Sequence, residues 1–175
     1  MTGTPDQLFP RDSFKDVLTA NEEFAESFGA NELTGVARKG LAIITCMDSR
    51  IDPLRVVGMS AGDVKILRNA GARVTDDVLR TLVLATHLLG VHRVLVMPHT
   101  NCKMASATEA EIHETLTEAS GMDTRSFAIN VVADQIEALR GDLIRIRALP
   151  YLPSDLAVGG AIYDVETGRL HPVDG

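Results

Sequence analysis

Five residues stand at spacings that could do chemistry. Cys46, Asp48 and Arg50 alternate in the stretch ITCMDSR, and His99 and Cys102 lie three apart in HTNC. Thiolate and imidazole are donors that zinc prefers, and three protein ligands with an open fourth position mark a catalytic rather than a structural site. Cys46, His99 and Cys102 make such a set. The His-x-x-Cys spacing suits two ligands on a turn entering a helix, where residues three apart share a face. Cys46 would then come from a neighbouring strand. Zinc held this way lowers the pKa of bound water to about 7, which gives a nucleophile near neutral pH.

Asp48 admits two roles beside such a metal. It can coordinate and close the site, or accept a hydrogen bond from bound water while Arg50 holds it aside in a bidentate pair. A plain ion pair at a strand end is the bland alternative. Either cysteine taken singly would equally suit an inert buried thiol. The remaining histidines lack readable partners. His113 falls mid-helix beside Glu111 and Glu114 as a solvated residue, and an H-E-x-x-H site fails at Thr117. His87, His92 and His171 flank helix ends or loops.

The elements that must position these residues can be read from hydrophobic periodicity. Apolar positions from Asp12 to Phe28 recur at three- and four-residue steps and predict one amphipathic helix or two short ones. That segment carries Phe14, Phe24 and Phe28 and must dock on its own domain or on a second subunit. LAIIT (41–45), DVKILR (63–68) and RVLVM (93–97) predict strands. Helices are expected from a Thr75 cap, with Asp76 and Asp77 in the first turn, to about Leu89, from Lys103 to Ala119, and from about Phe127 to Ala148. VGGAIYDVETGRLHPV predicts a strand, a Thr-Gly turn and a short returning segment. Strands alternating with helices give an α/β fold with a mostly parallel central sheet flanked by helices. A helical extension precedes it and an extra edge strand follows it. In such sheets ligands bind beyond the carboxyl ends of the strands. The ends are Cys46 to Arg50, then Arg68 with Asn69, Ala70 and Gly71, then Pro98 to Cys102. Asn69, Ala70 and Gly71 are expected to wall the pocket.

A chain of 175 residues suits one core. Its hydrophobic content of 45% excludes a disordered chain, and with no Trp the core must be aliphatic. A net charge of −7 argues against nucleic acid, which requires a basic face. Arg140, Arg145 and Arg147 are expected on the solvated side of their helix. No apolar run reaches the length of a membrane span, and no secretory leader is recognisable, so the cytoplasm is the expected location. Two cysteines in that compartment point to metal or catalysis before a disulfide. A cysteine phosphatase cradle, Cys-x₅-Arg, fails because Asp52 stands at its arginine position. A thiol peroxidase or sulfurtransferase built on Cys46 leaves His99, Asp48 and Arg50 without a role. Dinucleotide and nucleoside triphosphate cradles are absent.

CMDSR, RNAG and HTNC together resemble the beta-class carbonic anhydrases, from about Leu41 to Val165. The resemblance implies one zinc per chain on Cys46, His99 and Cys102, with Asp48 and Arg50 as a gating dyad. It implies reversible hydration of carbon dioxide to bicarbonate, a lyase reaction on a small molecule, in a homodimer or dimer of dimers. It also implies that residues 1–40 embrace a partner subunit while residues 41–175 form the catalytic domain. Two rivals share the motifs. One is a hydrolase of carbonyl sulfide or carbon disulfide, the other a zinc-binding homologue without catalysis. The chain departs from the family in Lys103, where glycine is usual after the second cysteine. Without Trp it also lacks the bicarbonate pocket by which some members close their sites.

Overall fold

Leu41–Cys46 (β1) is apolar at nearly every position because it lies mid-sheet, and all six of its residues are buried. In the computed structural model, which describes residues 9–29 and 33–174, the later strands are Val64–Asn69 (β2), Arg93–Met97 (β3), Ala157–Tyr163 (β4) and Leu170–Pro172 (β5). The helices are Lys15–Ser27 (α1), Pro53–Val56 (α2), Asp76–Leu88 (α3), Glu109–Ser120 (α4) and Gln135–Arg147 (α5). The chain divides into two compact units, one through Leu33 and one from Thr34.

In the larger unit the strand order is β2-β1-β3-β4-β5. The first four strands run parallel, and β5 returns antiparallel along the edge, as the Thr-Gly turn led one to expect. The register sets Cys46 beside Asn69 and Thr45 beside Met97, so the three strand ends finish at one level. One apolar cluster joins Ala42, Ile44, Val94 and Val96 to Val78, Leu79, Leu82 and Ala85 of α3 and Leu139, Leu143 and Ile146 of α5. A second joins Leu41, Ile43 and Met97 to Ile51, Cys46 and Cys102, so two of the candidate ligands are core residues. Gly40 enters β1 with φ +61, and a Cβ there would lie 2.0 Å from the His92 ring. The left-handed backbone there favours glycine, and a side chain would also displace the exposed His92 ring.

Two helices are shorter than their periodicity suggests. Lys103–Ala105 is a single 3₁₀ turn, and α4 begins only at Glu109. Thr108 and Glu111 form a capping box there, a stronger start signal than the apolar spacing upstream. Likewise α5 begins at Gln135, because the Asp134 carboxylate accepts the N–H groups of Ile136 and Glu137. Phe127 to Ala133 runs as irregular chain, with Val132 bonded to the Met104 carbonyl. The acids of the α3 first turn are paired rather than capping. Thr75 is the cap, Asp76 pairs with Arg145, and Asp77 with Arg80. The arginines of α5 lie on its exposed side as expected, and each is also hydrogen-bonded. Arg145 also reaches the Val74 carbonyl, Arg147 the Val158 carbonyl, and Arg140 the Glu137 carboxylate.

The smaller unit contains a 3₁₀ turn, Arg11–Phe14, leading into α1. No residue of α1 is buried, and Phe24 and Phe28 remain 58% and 51% exposed. No helix among the described residues is long and apolar enough to cross a membrane.

Because β1 packs on both faces, Ile44→Ala should lower unfolding stability by about 2–5 kcal/mol. Urea unfolding followed by circular dichroism measures this, and a loss below about 1 kcal/mol would contradict the central place of β1.

Candidate metal centre

Three donors of different origin meet at the strand ends. Cys46 closes β1, His99 follows Pro98 beyond β3, and Cys102 comes after a reversal at Asn101, whose backbone is left-handed at φ +54. Their ligand atoms lie within 4.8 Å of one another, and all three residues are buried. The three residues predicted as ligands are thus brought together.

The histidine shows what the cluster lacks. His99 is wholly buried, and its Nδ1 lies 2.8 Å from the Thr100 carbonyl oxygen. A carbonyl only accepts, so Nδ1 carries a proton, and in the neutral ring Nε2 presents a lone pair. Nε2 is the one buried side-chain polar atom without a hydrogen-bond partner among the described residues. An unpartnered buried group of this kind costs about 1–3 kcal/mol. A metal ion between Nε2 and the two sulfurs would satisfy it, and the Cys₂His donor set suits zinc.

The sulfurs are held by backbone. Gly71 donates its N–H to Cys46 Sγ at 3.4 Å. Burial pushes the Cys102 thiol up, and the nearby Cys46 adds to this, while the N–H groups of Met104 and Ala105 act in the opposite sense. A bound cation would drive both thiols to thiolates.

Asp48 and Arg50 form the bidentate pair. Asp48 Oδ1 accepts from Arg50 Nε and from the Arg50 backbone N–H, both at 2.9 Å, and Oδ2 accepts from Nη2 at 2.7 Å. This hydrogen bonding by Arg50 holds the Asp48 carboxyl well below the usual carboxylate range. Among the described residues Oδ2 has one donor, and it lies 3.7 Å from His99 Nε2. The carboxylate is therefore turned to the arginine yet remains beside the donors. Arg50 also donates to the Asn101 carbonyl at 3.1 Å, and Glu166 accepts from the Asn101 amide.

Of the expected pocket wall, Gly71 touches Cys46, whereas the Asn69 side chain is bonded to both backbone groups of Arg73. Ala70 begins the turn between them. Lys103 is exposed, and its charge acts on Glu111 of the capping box. His113 is not solvated, contrary to its expected place. It is buried, with Nδ1 2.8 Å from the Thr124 hydroxyl and Nε2 3.9 Å from Glu109, because the chain after Gly121 folds back over α4. His87 lies 2.9 Å from the Tyr151 carbonyl. Two supporting residues escaped the sequence reading. Arg68 donates to the carbonyls of Cys46, Asp48 and Ile51, bracing the whole turn, and Gln135 donates to the His99 carbonyl at 2.7 Å. An arginine ending a strand next to a ligand-bearing turn is a weak signal for the first. Nothing local marks the second, 36 positions from His99.

Comparison with known proteins gives a consistent set of relatives. The sequence profile of the carbonic anhydrase family matches residues 41–125. Beta-carbonic anhydrase 1 of Mycobacterium tuberculosis is 32% identical over 158 residues, 90% of this chain and 96% of the relative. A carbonic anhydrase of Streptococcus mutans superimposes with a TM-score of 0.86 at 35% identity, covering 99% of this chain and all of that one. A carbon disulfide hydrolase of an Acidianus species is 29% identical, covering 83% of each chain.

Removal of one donor tests the centre. The wild-type chain should retain one equivalent of zinc through dialysis and His99→Ala well below one, as read by elemental analysis of protein that keeps its circular dichroism spectrum. Full retention by the variant would exclude His99 as a ligand.

Proposed function

Since the chain belongs to the beta-class carbonic anhydrase family, we propose that it interconverts carbon dioxide and bicarbonate with one zinc held by Cys46, His99 and Cys102. The observation that carries this reading is the buried, unpartnered Nε2 of His99, set between two thiols and beside a carboxylate that Arg50 already holds. Bound zinc supplies a Lewis acid that makes water nucleophilic near neutral pH.

The chain's own residues do the rest. Arg50 keeps Asp48 ionised and turned aside, which would leave water room beside a metal held by Cys46, His99 and Cys102. Asp48 Oδ2, with capacity left for one donor, accepts a hydrogen bond from the entering water and aims its lone pair at the carbon of carbon dioxide. As the new C–O bond forms, one C=O π pair of carbon dioxide moves onto its oxygen and a water O–H bond breaks, its proton passing to buffer and leaving bicarbonate. Gly71 keeps the Cys46 sulfur in place with its N–H, and the Ala105 N–H holds the Cys102 carbonyl. Arg68 fixes the turn that carries Asp48.

The same constellation suits hydrolysis of carbon disulfide, the activity for which the Acidianus relative is named. Carbon dioxide is preferred because the Mycobacterium tuberculosis and Streptococcus mutans carbonic anhydrases are 32% and 35% identical to this chain, against 29% for the Acidianus hydrolase. The exposed aromatic residues of α1 support a further part of the reading, in which α1 is buried against a second copy in a dimer or dimer of dimers. Both cysteines are free thiols, in keeping with a reducing cytoplasm.

Stopped-flow hydration with a pH indicator should show rapid turnover by the zinc-loaded chain, and about a 10- to 100-fold loss for Arg50→Gln at unchanged zinc content. Sulfide release from carbon disulfide without carbon dioxide hydration would transfer the assignment to the hydrolase. Sedimentation of the full chain carrying Phe24→Asp and Phe28→Asp should show a smaller assembly than the wild type. An unchanged mass would remove α1 from the interface.

A further inference from the structure

Asp142 is a buried carboxylate on α5, and the proposed reaction gives it no role. It is 5% exposed. It accepts from Arg73 Nε at 2.8 Å, from Arg73 Nη2 at 3.2 Å and from the Val74 N–H at 3.3 Å. Such a pair is costly to desolvate, and it does not by itself imply stability. Its position suggests another use.

Arg73 ends the loop that leaves β2. The Asn69 side chain closes that loop, accepting the Arg73 N–H at 2.8 Å and donating to the Arg73 carbonyl at 2.7 Å. Within it Gly71 and Ala72 both take left-handed backbone, at φ +81 and +59. Two such residues in succession, one of them alanine, persist only where the surroundings determine them. A side chain at position 71 would press on Met104 at 3.3 Å, so the close packing there favours glycine. The outcome of this conformation is that the Gly71 N–H points at Cys46 Sγ.

We propose that Asp142 is a positioning residue for Cys46. Through Arg73 and the Asn69 clamp it fixes the Gly71 N–H on the sulfur and so sets how tightly the Cys46 thiolate holds a metal. The inference rests on the metal-centre reading. It extends the shell of groups that orient a ligand to a residue 96 positions along the chain from Cys46 (142 − 46).

Stability and positioning can be separated. Replacing both partners of a buried pair by apolar residues tends to preserve the fold, while removing one leaves a buried charge. The full chain is therefore compared with Asp142→Asn and with the double variant Arg73→Met, Asp142→Leu. Zinc affinity is read by competition with a chromophoric chelator, and the cobalt-loaded chain reports its thiolate charge-transfer band. Both variants should bind zinc about 10- to 100-fold more weakly and shift the band. The double variant should keep the wild-type thermal unfolding of the metal-free chain. In the wild type loaded with a spin-active cadmium isotope, the Gly71 amide proton should couple to the metal through the sulfur.

A folded variant with wild-type affinity and an unshifted band overturns the positioning role, as does a cadmium-loaded wild type without the coupling. The apolar pair carries the comparison where the asparagine variant fails to fold. A wild-type chain that takes up no metal overturns the metal-centre reading and this role with it.

Discussion

Burying two thiols and an imidazole within 4.8 Å of one another is the constraint on which the rest of the structure depends. No hydrogen bond within the cluster satisfies His99 Nε2, and the Thr100 carbonyl prevents the ring from exchanging its two nitrogens. A cation set between the three donors would offset this cost. Two adjacent parallel strands make the arrangement possible. β1 and β3 end at the same level, and a short left-handed reversal at Asn101 returns Cys102 to the same place.

Around that cluster, main-chain groups do most of the holding. Gly71 directs its N–H at the Cys46 sulfur and Ala105 its N–H at the Cys102 carbonyl, while the carbonyls of Cys46, Asp48 and Ile51 converge on Arg68. A loop so tied cannot drift as side chains exchange rotamers, which suits a site whose donors must stay within a few tenths of an ångström. The one ionic element at the rim, Asp48 with Arg50, is partly exposed, so its value lies in orientation more than in stability. Arg50 is itself steadied by the Asn101 carbonyl, which links the latch to the same reversal that delivers Cys102.

The lysine at position 103 shows how local context limits a sequence argument. Read as the first turn of a long helix, it opposes the helix dipole and sets a cation beside the thiolates. In the structure that turn is a separate 3₁₀ segment, Lys103 faces solvent, and its charge acts on Glu111. The cation that acts on both thiols is Arg50. The helix dipole at issue belongs to α4, whose first turn carries Glu109 and Glu111 instead.

The sequence by itself singled out Cys46, His99 and Cys102 as a candidate cluster and Asp48 with Arg50 as a pair, and it determined the mostly parallel sheet. Those features are written in residue type and short-range spacing, which survive without coordinates. It misplaced the starts of α4 and α5, since apolar residues of a packed loop such as Ile129 and Val132 mimic helical periodicity until the caps at Thr108 and Asp134 are seen to act. It likewise took His113 as solvated, because burial by the returning chain leaves no mark on neighbouring positions. Only tertiary structure decided that Asp48 is turned to Arg50, that Gln135 supports His99, and that Asp142 grips the loop beneath Cys46. The latter two contacts join residues dozens of positions apart, and side-chain hydrogen bonds of that range have no periodicity to betray them.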